Sequence, residues 1–149
     1  MSDTAGPRLI TKRLLLEMPR PAKASRVLEY LTANRARFLD SSPSGPPLTL
    51  ELVAATLSSA ISEYETGRGM KLYMFLRAAD LEEPIGDIAL SEIVRGPFQA
   101  CYLGYRIGAE YEGRGYVTES VARDYLHLNG EWRDHVLTSR INPDWRVHL

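Results

Sequence analysis

The stretch richest in chemistry runs from Tyr105 to Glu119: Tyr-Arg-Ile-Gly-Ala-Glu-Tyr-Glu-Gly-Arg-Gly-Tyr-Val-Thr-Glu. It reads as a strand end, a glycine-bearing loop over 108–115, and the start of a helix at Val117. Successive backbone N–H groups at a helix N-terminus form an anion cradle. Gly113 and Gly115 let that backbone approach a ligand closely, and Arg114 adds positive charge. A phosphate or pyrophosphate is the guest such a loop would take. Gly108 and Gly113 have P-loop spacing, but Arg114-Gly115 stand where Lys and Ser/Thr are needed. Gly113-x-Gly115 could open a dinucleotide fingerprint, but Thr118 sits at the third glycine, and the preceding strands look antiparallel. The plain alternative is an ordinary connection whose glycines only turn the chain.

Other reactive residues are scattered. Glu92 is a candidate base, although an exposed carboxylate is more often simply solvated. Tyr102 would be a proton donor if it faced a cleft; a core or interface tyrosine is the plainer reading. His127 and His135 flank a turn that could bring them near each other, but no cysteine or carboxylate stands at zinc spacing with them, so no metal is expected. Cys101 reads as an inert buried thiol in an apolar strand. Trp132 and Trp145 read as packing under a hairpin rather than stacking on bases. No catalytic residue is assigned.

The elements that must position these groups follow from periodicity. Residues 1–8 read as a loose tail. Leu14-Leu15-Leu16 mark a first strand near 13–17, stopped by Pro19 and Pro21. Ala24, Val27, Leu28 and Leu31 recur at helical spacing, predicting a helix over 22–39. A second helix over 50–66 has Thr49 as N-cap, Glu51 in its first turn, and Val53, Leu57, Ile61 and Tyr64 as its buried stripe; Gly67 and Gly69 end it. The period then falls to two, with strands near 71–77, 85–94 and 98–107 separated by short turns, which is an antiparallel meander. A helix is expected over 117–123. Tyr125–Leu128, Asn129-Gly130 and Trp132–Val136 form a strong hairpin signal. The fold class is α+β, a mainly antiparallel sheet flanked by helices.

Composition bounds the rest. The chain has 149 residues, 44% hydrophobic and 25% charged, so one globular domain over 1–149 is expected. Eighteen basic against 19 acidic residues leave a net charge of -1, which argues against a globally basic nucleic-acid binder. One cysteine fits a reducing, cytoplasmic setting. The first residues lack a secretory pattern, and no apolar run approaches the ~20 residues a bilayer needs, so no membrane role is expected.

The glycine loop also resembles the pyrophosphate loop of the GNAT superfamily of N-acetyltransferases, Gln/Arg-x-x-Gly-x-Gly/Ala, laid on Glu112 to Val117 with Gly115 as the central glycine. Glu112 and Val117 depart from that pattern. The surroundings resemble the ribosomal-protein-alanine N-acetyltransferase branch. Thr11-Lys-Arg-Leu-Leu-Leu16, Ile85-Gly86, Val94-Arg-Gly-Pro-Phe98 and Ala100-Cys-Tyr-Leu-Gly-Tyr-Arg-Ile-Gly108 carry it. So do Tyr111 to Glu119, Asp124-Tyr-Leu126, Asn129 to Thr138 and Pro143-Asp-Trp145. A segment of roughly 40 residues is missing from the family pattern, because Val121-Ala122 run almost directly into Asp124-Tyr125. The resemblance implies a GNAT-like sheet truncated in its second half.

It further implies acetyl transfer from acetyl-CoA to the α-amino group of an alanine-starting protein, such as a ribosomal protein. Tyr105, Arg106 and Ile107 would offer backbone groups to the pantetheine arm. Glu112, Gly113, Arg114, Gly115, Tyr116 and Val117 would hold the pyrophosphate, with Arg114 offsetting the Glu112 carboxylate. The missing wall is expected to leave an edge at 100–107 that either the final hairpin or a second copy of the chain fills, the latter giving a homodimer. Low or no turnover, weak CoA binding and marginal stability are expected of this shortened chain. A weakly active or inactive CoA-binding remnant is the alternative to an enzyme.

Overall fold

The computed structural model describes residues 4–41, 45–78, 83–95, 97, 100–114, 120–128 and 131–137. The expected strands, joined by a further one at the N-terminal end, form one five-stranded sheet. Its strands are β1 (Thr4–Ile10), β2 (Leu14–Pro19), β3 (Met70–Leu76), β4 (Gly86–Val94) and β5 (Ala100–Ile107). They lie in chain order, each antiparallel to its neighbour, as the meander pattern predicts. Register is set by pairs such as Leu15 with Phe75, Leu72 with Ile88, and Asp87 with Arg106. Among the described residues three α-helices accompany the sheet: α1 (Ala24–Ala33), α2 (Arg35–Ser41) and α3 (Leu50–Glu65). None among the described residues is long and apolar enough to cross a membrane.

Successive strand side chains point to opposite faces, so the apolar residues sort into two clusters. On the helix-covered face Leu15, Tyr73 and Phe75 pack with Ala24, Val27, Tyr30, Phe38, Val53 and Leu57. On the other, Leu14, Met74 and Ile85 gather with Leu16, Leu76, Ile107 and Tyr111. The α3 N-terminus forms as its sequence dictates: Thr49 Oγ1 accepts from the Leu52 N–H at 3.2 Å. Its helix ends at Gly67, whose φ of 69° suits glycine.

Several expectations are corrected. The loose tail at 1–8 is largely strand: β1 pairs with β2 through a turn closed by the Thr11 N–H on the Leu14 carbonyl at 2.8 Å. The free edge of Leu14–Leu16 gives it a ladder to join. Tyr64 is not buried; it is 38% exposed and lies over Gly6, while Ala60 completes the α3 stripe. The helix over 22–39 is interrupted at Asn34, after a 3-10 turn at Pro21–Lys23. Cys101 is an exposed free thiol, because β5 has no strand beyond it among the described residues.

The helix expected over 117–123 is replaced, from residue 120, by β6 (Ser120–Leu128), which pairs with β7 (Glu131–Leu137). The hairpin at Asn129-Gly130 extends past Tyr125: Val121 stands opposite Val136 and Ser120 opposite Leu137, with a register shift between Ala122 and Leu126. Residues 117–119, like 129–130, lie outside the described set. The hairpin forms its own two-stranded sheet instead of adding to β5. His127 is opposite Trp132 and His135 opposite Ala122, so the register does not bring the two histidines face to face. Trp145 lies outside the described residues.

Candidate active site

β5 carries the first part of the candidate site. The Gly108 N–H donates to the Ile85 carbonyl at 2.8 Å. Backbone direction alternates along a strand, so Arg106 turns its N–H and C=O toward β4. Those of Tyr105 and Ile107 turn to the outer edge, where no strand follows among the described residues. Arg106 therefore does not share their placement. A Cβ at Gly104 would meet nothing within 4 Å among the described residues, so there is space at that position.

The Arg106 side chain does something else. Its Nε and Nη2 reach both oxygens of Asp87 at 3.0–3.3 Å. Asp87 is 4% exposed, and also accepts from the Tyr30 hydroxyl at 3.0 Å, with Lys71 Nζ at 3.7 Å. The guanidinium stacks 4.6 Å above the Phe38 ring. Burial works against the Arg106 charge, but the attraction and hydrogen bonding of Asp87 outweigh it and raise its pKa. Burial likewise pushes the Tyr30 and Tyr73 hydroxyls up, with Asp87 adding to the effect. For Lys71, burial prevails over the nearby carboxylate and lowers its pKa. The network ties β3, β4 and β5 to α1 and fixes the end of β5.

The loop follows directly. A 3-10 turn at Ala109–Tyr111 leads to Gly113, whose φ of 64° lies where only glycine is unstrained. Arg114 sits 5.5 Å from the Tyr111 ring, and its carbonyl accepts from Arg13 Nη1 at 3.1 Å. The expected compensation of Glu112 by Arg114 is replaced: Glu112 pairs with Arg37. Gly115, Tyr116 and Val117 lie outside the described residues. So does the junction to Ser120, beyond which the chain is strand.

Of the weighed catalytic candidates, Glu92 is exposed, with a φ of 50° at the irregularity between Ser91 and Val94. Tyr102 is 67% exposed. Among the described residues neither is drawn into a hydrogen-bonded constellation that would mark a base or an acid. Among the described residues no group of His, Cys, Asp and Glu is arranged to hold a metal ion. Sequence reasoning missed Asp87, Tyr30, Asn34 and Arg37. Asp87 had a readable signal, a carboxylate inside the apolar run Ile85 to Leu90; the partnership of Arg37 with a residue 75 positions away had none.

Comparison with known proteins gives a consistent picture. Residues 13–144 match the model of the acetyltransferase (GNAT) domain. The chain is 31% identical over 195 residues to the [ribosomal protein uS5]-alanine N-acetyltransferase of Escherichia coli, covering 97% of this chain and 95% of that protein. Those 195 positions against 149 residues leave at least 46 with no counterpart here, the scale of the segment absent from the sequence pattern. The fold is similar to the ribosomal-protein-S5-alanine acetyltransferase of Vibrio fischeri, with a TM-score of 0.78 and 21% identity, covering 95% of this chain and 100% of that one. It is also similar to Mycobacterium smegmatis RimJ in complex with CoA-disulfide, with a TM-score of 0.61 and 15% identity over 83% and 79% of the two chains.

Proposed function

The chain belongs to the acetyltransferase (GNAT) domain family, and from that premise we propose that it transfers acetyl from acetyl-CoA to the α-amino group of an alanine-starting protein in the cytoplasm. A ribosomal protein is the substrate class favoured by the Escherichia coli relative, which acts on uS5. The observation that carries the reading is that β5, with no further strand at its outer edge among the described residues, leads directly into the Gly113 turn. The outward backbone groups of Tyr105 and Ile107 would pair with the pantetheine amides. Glu112, Gly113, Arg114, Gly115, Tyr116 and Val117 would flank the diphosphate. Arg106 serves by holding the strand through Asp87.

The chemistry asks little of side chains. The neutral amine attacks the thioester carbonyl, a C–N bond forms, the C–S bond breaks, and the leaving thiolate takes up the proton the amine sheds. An α-amino group of pKa about 8 is already partly neutral near pH 7, so a strong base is not required. Holding the amine and thioester in line supplies most of the acceleration, and that geometry tolerates errors of only about 1 Å.

A second reading is favoured by one observation. At least 46 positions of the relative have no counterpart here, and the hairpin does not fill the place beside β5. A chain without that wall could bind CoA and not turn over. Thiol release from acetyl-CoA, measured on a monomer of confirmed mass, separates the two. Slow release that depends on an alanine-starting peptide and disappears when its N-terminus is blocked is the expected outcome. CoA binding without peptide-dependent release would establish the non-catalytic reading.

A further inference from the structure

The periodicity of residues 22–39 calls for one continuous helix, yet the helix breaks at Asn34. The break has a purpose visible in the hydrogen bonds. Asn34 Nδ2 donates to the Tyr30 carbonyl at 2.9 Å, which fixes the amide's orientation. Its Oδ1 then accepts from the Ala109 N–H at 3.0 Å. An ideal Cβ at Gly108 would stand 3.4 Å from that same oxygen, so the contact is close. Three residues on, Arg37 pairs with Glu112; one further, the Phe38 ring underlies Arg106. Three positions within one short stretch of the helical layer, 34, 37 and 38, thus hold residues 109, 112 and 106.

We propose that the junction of α1 and α2 is a latch that sets the coenzyme loop, with Asn34 and Arg37 acting as positioning residues for recognition of the CoA diphosphate. This rests on the coenzyme reading given above. Asn34 fixes where the turn leaves β5. Arg37 does a second task, because Glu112 precedes Gly113-Arg114-Gly115 and would repel a diphosphate if left unpaired. The Arg37 guanidinium cancels that charge and holds the carboxylate against α2. An exposed ion pair contributes little to stability, so its main effect is on the anion's affinity.

The test is calorimetry on the full chain with two probes, CoA and pantetheine, the latter lacking the diphosphate. Arg37→Ala should weaken CoA binding about tenfold at low salt, with the loss shrinking as ionic strength rises. Pantetheine affinity should stay unchanged, and Arg37→Lys should restore CoA binding. In a Glu112→Gln background Arg37→Ala should have no further effect. Asn34→Ala should speed amide exchange at Ala109 in the unliganded protein and weaken CoA. An Arg37→Ala loss equal for both probes, or persisting in the Glu112→Gln background, overturns the electrostatic latch. Equal CoA affinity across all variants does the same. A wild-type chain that binds no CoA overturns the coenzyme reading and this role with it.

Discussion

Asp87→Ala is expected to lower the unfolding free energy by about 3–5 kcal/mol, read as a shift in urea midpoint at constant slope. The carboxylate is 4% exposed and receives Tyr30, both arms of Arg106 and, more distantly, Lys71. Removing it leaves two half-buried cations facing each other and a buried hydroxyl without its acceptor, and uncompensated buried charge is among the most costly defects in a core. A domain of this size has about 5–15 kcal/mol in all, so the variant should be close to unfolding at 37 °C. A loss under about 1 kcal/mol would show that the network is solvated in solution.

Gly86→Ala is the second large effect. A Cβ there would lie 2.5 Å from Met74 Cε, 2.6 Å from the Arg106 carbonyl oxygen and 3.1 Å from Ile107 Cδ1. The methionine end can swing aside, but the carbonyl belongs to the ladder between β4 and β5 and moves only with the strand. Overpacking of this kind costs about 1–3 kcal/mol, and here it also displaces the strand that carries the candidate site. Gly104→Ala is the control, since its Cβ meets nothing within 4 Å. The two midpoints should separate clearly; equal midpoints would contradict the close approach of the strands at Gly86.

The sheet was legible because its signals are local. Leu72 to Leu76 is a short apolar and aromatic run, Ile85 to Val94 alternates loosely, and the turns between the strands are short. Thr49 and Gly67 mark the ends of α3 by the same logic. What escaped depended on distant partners. Residues 4–10 carry no strong strand pattern of their own and become strand by pairing with Leu14–Pro19. Asn34 has unremarkable helical neighbours, and its break is explained by Ala109, 75 residues on. Residues 120–123 have helical spacing in isolation, but the hairpin beyond them offers a ladder that outweighs it. Of the candidate site, Tyr105, Ile107 and Gly113 were expected from sequence; the inward turn of Arg106 onto Asp87 and the ion pair that neutralises Glu112 depend on distant partners.

On the proposed function, coenzyme binds along the outer edge of β5 and the loop after it. An amide NMR titration of the chain with acetyl-CoA tests it most directly. Shifts should concentrate at Leu103, Tyr105, Ile107 and the amides of 108–114, with β1 and the solvent face of α3 unmoved. Saturable shifts confined to other elements, or none at millimolar acetyl-CoA, would contradict it.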